Sequence, residues 1–141
     1  MNPYIQQYNQ YKQNSIITAS PEAILIMLYE GAIKFLMRAK VSIDNKNIEE
    51  THELITKAEK IIRELMNSLD METGGEVAQN LYRLYEYLHH QLVMANIKKD
   101  NALIDGVLEH LRDLKQTWEE AIKIASRESK EYGEEENDRR A

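Results

Sequence analysis

The chain has 141 residues, 43% hydrophobic and 30% charged, enough apolar material for one packed domain with tails and too much for a wholly disordered chain. A total of 18 Lys and Arg against 24 Asp and Glu gives a net charge of −6, which disfavours nucleic-acid binding, since that depends on basic footprints. There are no cysteines, so disulfides, thiolate zinc sites and cysteine nucleophiles are excluded together. The longest unbroken nonpolar run, residues 23–29, falls far short of the roughly 20 residues that span a bilayer. The polar N-terminus has no basic stretch leading into an apolar one, so neither membrane insertion nor a cleaved export signal is expected.

With only two prolines and five glycines, β-hairpins have little turn chemistry to work with, and the remaining signal is helical. Residues 1–20 form a segment rich in Asn, Gln and Tyr in which Lys12 is the only charged side chain. Tyr4, Tyr8 and Tyr11 recur at helical spacing and are followed by Ile16 and Ile17. Such a segment either caps an apolar groove until a partner displaces it or is a polar leader with no docking role.

Ser20 before Pro21 predicts an N-cap with proline at the first helical position, and a first helix over about residues 21–43. Asn47 and Glu50 have capping-box spacing and open a second helix. Its Ile48, Ile55, Ile62 and Leu69 repeat every seven residues, with Thr51, Ala58 and Leu65 between them. The Thr73-Gly74-Gly75-Glu76 turn starts a third helix near residue 75, which carries Leu81, Leu84, Leu88, Leu92 and Ala95 and runs to about Lys98. Asp100 or Asn101 caps a fourth, with a stripe of Ile104, Leu111, Trp118 and Ala125 and with Val107, Leu114 and Ala121 between. Alternating charges after Ser126 read as a disordered tail over 126–141.

Four long helices joined by short connections must alternate in direction. The expected fold is all-α, an antiparallel up-down-up-down four-helix bundle over residues 21–125 with an N-terminal capping segment. The interior glycines Gly31 and Gly106, each costing about 1 kcal/mol relative to alanine, suggest another backbone close by.

Two strips lie beyond the faces such a bundle requires. On helix one, Ile26, Ile33 and Met37 fall together on a side distinct from the Ile24, Leu28, Gly31, Phe35 and Ala39 face, with Tyr29 and the stem of Lys40 beside them. On helix three, Ala78, Tyr82, His89, Val93 and Asn96 form a strip displaced from the leucines, with Tyr85 bridging the two. Broad arcs of this kind either touch two bundle neighbours or offer a surface to a partner's helices.

Catalytic constellations fail. Glu49 with His52, and Glu86 with His89, have the Glu-x-x-His spacing of di-iron bundles, but the pairs are offset along the axis and their carboxylates point away from the leucine faces. The stripes of helices one and four contain no inward glutamate to complete such a site. Phosphate-loop and nucleophile-elbow motifs are absent from the sequence. No catalytic residue, metal or cofactor is expected.

One resemblance is specific. Ala19-Ser20-Pro21-Glu22 leads into Ile26-Met27-Leu28-Tyr29-Glu30-Gly31-Ala32-Ile33-Lys34-Phe35-Leu36, and Asn80-Leu81-Tyr82-Arg83-Leu84-Tyr85-Glu86-Tyr87 is followed by Ala95-Asn96. With Trp118-Glu119-Glu120-Ala121-Ile122, these strings resemble the flagellar secretion chaperone family FliS over about residues 2–124. The resemblance implies a helical bundle in the bacterial cytosol that binds the disordered C-terminal region of flagellin, prevents premature polymerisation and assists delivery to the flagellar type III export gate. It also implies an N-terminal segment that packs on the bundle and is rearranged by the partner. Partner-binding candidates are Ile26, Tyr29, Ile33, Met37, Tyr82, Tyr85, His89, Val93 and Asn96, with Tyr4, Tyr8, Tyr11 and Ile16 as the cap. The expected partners are the flagellin C-terminal segment, an export-gate component as a ternary partner, and a second copy of the chain as a homodimer when unliganded. The alternative reading is a self-associating bundle, a scaffold or adaptor without flagellin specificity.

Overall fold

A computed structural model describes residues 20–140, with side chains described to residue 136. Four helices follow one another: α1 (Pro21–Asp44), α2 (Ile48–Asn67), α3 (Met71–Lys98) and α4 (Asn101–Arg140). The connections are residues 45–47, 68–70 and 99–100, too short for anything but antiparallel neighbours. Each helix packs on the next in sequence and α4 returns to α1, giving the expected up-down-up-down ring. The N-terminal segment with Tyr4, Tyr8, Tyr11 and Ile16 lies outside the described residues.

Local chemistry sets the helix starts. The Ser20 hydroxyl accepts from the Ala23 N–H at 3.2 Å, with Pro21 at the position where a missing N–H costs nothing. Asn47 Oδ1 accepts from the Glu50 N–H at 3.1 Å, and Asn47 Nδ2 donates to the Glu50 carboxylate at 3.1 Å. Asp100 Oδ1 accepts from the Ala102 N–H at 2.8 Å and so caps α4. The expected start of the third helix needs correcting. Asp70 caps α3 by accepting from the Glu72 and Thr73 N–H groups, and the glycine pair marks a kink inside the helix, where Gly75 has φ 54° and ψ −131°. Only a residue without Cβ adopts that conformation readily.

The interior is built from Leu28, Ala32, Leu36 and Ala39 of α1, the buried faces of α2 and α3, and Ile104, Val107, Leu108 and Leu111 of α4. The α2 repeat holds for Ile55 and Ile62, with Thr51, Ala58 and Leu65 buried between. Ile48 departs from it at 68% exposed, because it is the first residue of α2, level with the loops, where nothing covers it. Gly31 is buried, but a Cβ at Gly106 would meet nothing within 4 Å: that glycine is exposed and admits no neighbouring backbone. The helix also continues where a disordered tail was expected, since α4 runs on to Arg140. The spacing Arg127/Glu131 and Lys130/Glu134 places opposite charges one turn apart, an arrangement that supports an exposed helix.

The loops contain two left-handed residues without glycine, Lys46 at φ 58° and Lys99 at φ 50°. A side chain in this region costs about 1 kcal/mol that glycine avoids. Lys46→Gly should therefore raise stability by about 1 kcal/mol in urea denaturation; a loss would show that the Lys46 side chain contributes more than its backbone strain costs.

Candidate functional site

At the end of the ring where Ser20 begins α1, the interior opens to the surface. Leu25 and Glu22 of α1 face Trp118, Ala121, Ile122, Ala125 and Ser126 of α4 across a groove of about 540 Å³. Leu25 and Trp118 are also walls of a second depression, about 340 Å³, completed by Leu69 and Asp70 of the α2–α3 turn and by Thr73, Val77, Ala78, Leu81 and Tyr85 of α3. Glu22 and Ile122 are shared with a third, about 430 Å³, lined by Ala23, Ile26, Met27, Glu30, Glu119 and Lys123. The three form one belt around the first turns of α1. It exists because the α4 stripe changes from leucine to Ala121 and Ala125 just where the helix passes the end of α1, so small side chains leave space beside a large one.

The floor of the belt is hydrogen bonded. Trp118 Nε1 donates to the Tyr29 hydroxyl at 3.1 Å, and the hydroxyls of Tyr29 and Tyr85 bond to each other. These contacts join α4, α1 and α3. Burial raises both tyrosine pKa values, Tyr29 well above the phenol range with Tyr85 adding to the shift, so both hydroxyls stay neutral.

Tyr29 is 0% and Tyr85 1% exposed, so both side chains are packed between helices, Tyr85 with its edge at the belt. Three helices converge on them, and a broad arc at that level is consumed as core. The rest of the helix-one strip lies along the α1/α4 seam. Ile26 lines the belt, Ile33 packs against the core, and Met37, 43% exposed, accepts a contact from Arg112 Nη2 at 3.1 Å on Sδ. Charge pairs flank the same seam. Lys40 meets Asp105 at 2.6 Å, and Lys115 bridges Glu30 at 3.5 Å and Glu119 at 3.4 Å. Burial works against the Lys115 charge, but Glu119 and Glu30 outweigh it and hold the ammonium pKa above its usual value.

The helix-three strip borders α2. Asn96 Nδ2 donates to His52 Nδ1 at 2.9 Å and Lys99 Nζ donates to Asn96 Oδ1. Val93 and His89 are half-buried, His89 Nε2 is enclosed without a hydrogen-bond partner, and Tyr82 is exposed. Ile26 and Tyr85 are thus the only two of the nine candidates that line the belt. By sequence alone Trp118 and Ala121 belong to the packing stripe of α4, and Leu25 and Ile122 carry no binding signal of their own. The signal that could have found them is the pair of alanines one turn apart on a stripe otherwise made of large residues.

Next to this second seam, Glu59 is buried, and desolvation raises its carboxyl pKa against the opposing pull of His89, Arg63 and His52. A carboxyl whose folded pKa is raised favours the folded state when protonated and loses that advantage as pH rises through the folded value. Glu59→Gln should therefore raise Tm at pH 7, and the gain should shrink toward pH 4. A gain that does not change with pH would contradict this.

Among the described residues, no group of three or more His, Asp or Glu could hold a metal ion, and no helix is long and apolar enough to cross a membrane.

Fold and belt together define an all-α four-helix bundle with an apolar surface groove. The family model for flagellar protein FliS matches residues 4–125. The chain is 39% identical over 113 residues to the flagellar secretion chaperone FliS of Campylobacter jejuni, covering 80% of this chain and 88% of that one. It is 36% identical over 115 residues to the flagellar secretion chaperone FliS of Bacillus subtilis, covering 82% and 85%. A crystal structure of a flagellar chaperone from bacteria has the same fold, with a TM-score of 0.70 at 24% identity, covering 84% of this chain and 97% of that one. The chain belongs to the FliS family.

Proposed function

We propose that this chain is a cytosolic export chaperone that binds the disordered C-terminal helical region of flagellin, prevents its premature polymerisation and assists its delivery to the flagellar type III export gate. The observation that carries this reading is the apolar belt walled by Leu25 and Trp118, together with family membership. Segments that self-associate through amphipathic helices must have those faces covered until export, and an apolar groove between helices is a standard receptor for them. Residues 1–20 are proposed as the cap. Ser20, where the described chain begins, lines the belt, and Tyr4, Tyr8, Tyr11 and Ile16 are the residues proposed to be exchanged for flagellin. Ile33, Met37, Tyr82, His89, Val93 and Asn96 flank the seams and provide secondary contacts for a partner that wraps the bundle. An export-gate component joins this complex as a third partner.

Size exclusion with light scattering tests the reading. The chain mixed with the flagellin C-terminal segment should elute as a 1:1 heterocomplex. A homo-oligomer unchanged by flagellin would instead favour the self-associating scaffold.

A further inference from the structure

The charged side chains that line the belt are Glu22, Glu30, Asp70 and Glu119, against Lys123 alone. Glu30 and Glu119 share Lys115. Glu22 and Asp70 have no cationic partner within ion-pair distance among the described residues. These two stand on either side of the Leu25 and Trp118 wall, Glu22 toward α4 and Asp70 at the α2–α3 turn. Asp70 caps α3 and Glu22 sits in the first turn of α1, but among the described residues no cationic side chain neutralises either, so a helix laid across that wall would pass between two carboxylates open to a partner's cations.

We propose that the belt selects an amphipathic helical segment whose apolar stripe is bordered on both sides by Lys or Arg. The proposal rests on reading the belt as the partner site and adds the partner's charge pattern. Apolar surface fixes how much is buried but discriminates poorly between one greasy helix and another. Charge at the edge does discriminate, because an acidic flank would meet Glu22 or Asp70 where solvent is partly excluded. Lys and Arg also extend the apolar contact, since their methylene stems lie on the groove wall while the charged heads reach its rim.

The test is calorimetric titration of the full chain with two synthetic helical peptides that share one leucine and alanine stripe, one flanked by Lys and the other by Glu. The Lys-flanked peptide should bind about tenfold more tightly, and its advantage should fall with added salt. In Glu22→Lys/Glu119→Lys, which makes the α1/α4 edge of the belt basic and leaves Asp70 alone on the other edge, the preference should be lost. In Glu49→Lys/Glu109→Lys, which makes the same change in net charge at exposed positions away from the belt, the preference should persist. Circular dichroism checks that both variants fold. Equal affinities, binding of neither peptide, or a preference lost as fully in the remote variant as in the groove variant would each overturn the proposal. The flagellin C-terminal segment is titrated alongside. If it fails to bind where the Lys-flanked peptide succeeds, the flagellin reading falls and the charge pattern stands. If it binds with one affinity across all variants, the charge pattern falls and the flagellin reading stands.

Discussion

Ala121→Trp should weaken binding of the flagellin C-terminal segment by about 100-fold in calorimetry while leaving the helical circular dichroism signal unchanged. Ala121 is exposed on the wall of the largest part of the belt, so an indole there has space to fill and no core to disturb. Burying four or five guest side chains at about 1.5 to 3 kcal/mol each gives a gross gain of roughly 6 to 15 kcal/mol. Ordering the guest takes back about 2 to 5 kcal/mol of it. Excluding even two of those side chains costs about 3 kcal/mol or more, which sets the scale of the loss. Undiminished affinity in a folded Ala121→Trp variant would place the flagellin contact elsewhere on the bundle.

Tyr29→Phe should lower stability by about 2 kcal/mol in urea denaturation, although it removes a single oxygen. That oxygen accepts from Trp118 and pairs with the Tyr85 hydroxyl, so its loss leaves one buried hydroxyl and one indole N–H without their partner. Tyr85→Phe should cost less, because Tyr29 keeps its bond from Trp118. Adding Tyr85→Phe to Tyr29→Phe should recover about 1 kcal/mol, since no orphaned hydroxyl then remains inside. Simple addition of the two losses would contradict the hydrogen-bonded chain described for the floor of the belt.

What the sequence made legible was local or strictly periodic. Ser20, Asn47 with Glu50, and Asp100 cap helices because each acts on backbone groups within three residues of itself. The α2 repeat reads as core because it has one neighbour on each side. Less legible was the fate of a broad arc. Ile26 and Met37 are indistinguishable on a helical wheel from a free strip until the ring order places α4 against them. Tyr29 falls on the same flank and is consumed entirely, because α3 and α4 reach it from the other side. The belt was hidden for the opposite reason. Trp118, Ala121 and Ala125 continue the core periodicity of α4, and a period carries no information about whether an opposing helix is still present at that level. The kink at Gly75 was legible as a turn, but the cap at Asp70 moved the start of α3 one turn earlier.

Trp118 is the only tryptophan in the chain and stands in the shared wall of the belt, which makes its fluorescence the most direct probe of whether that groove receives flagellin. Titration of the full chain with a tryptophan-free flagellin C-terminal segment should shift Trp118 emission to shorter wavelength, saturating at one segment per chain with the same midpoint as the calorimetric isotherm. Saturable calorimetric binding with Trp118 emission unmoved throughout would contradict the assignment of the groove.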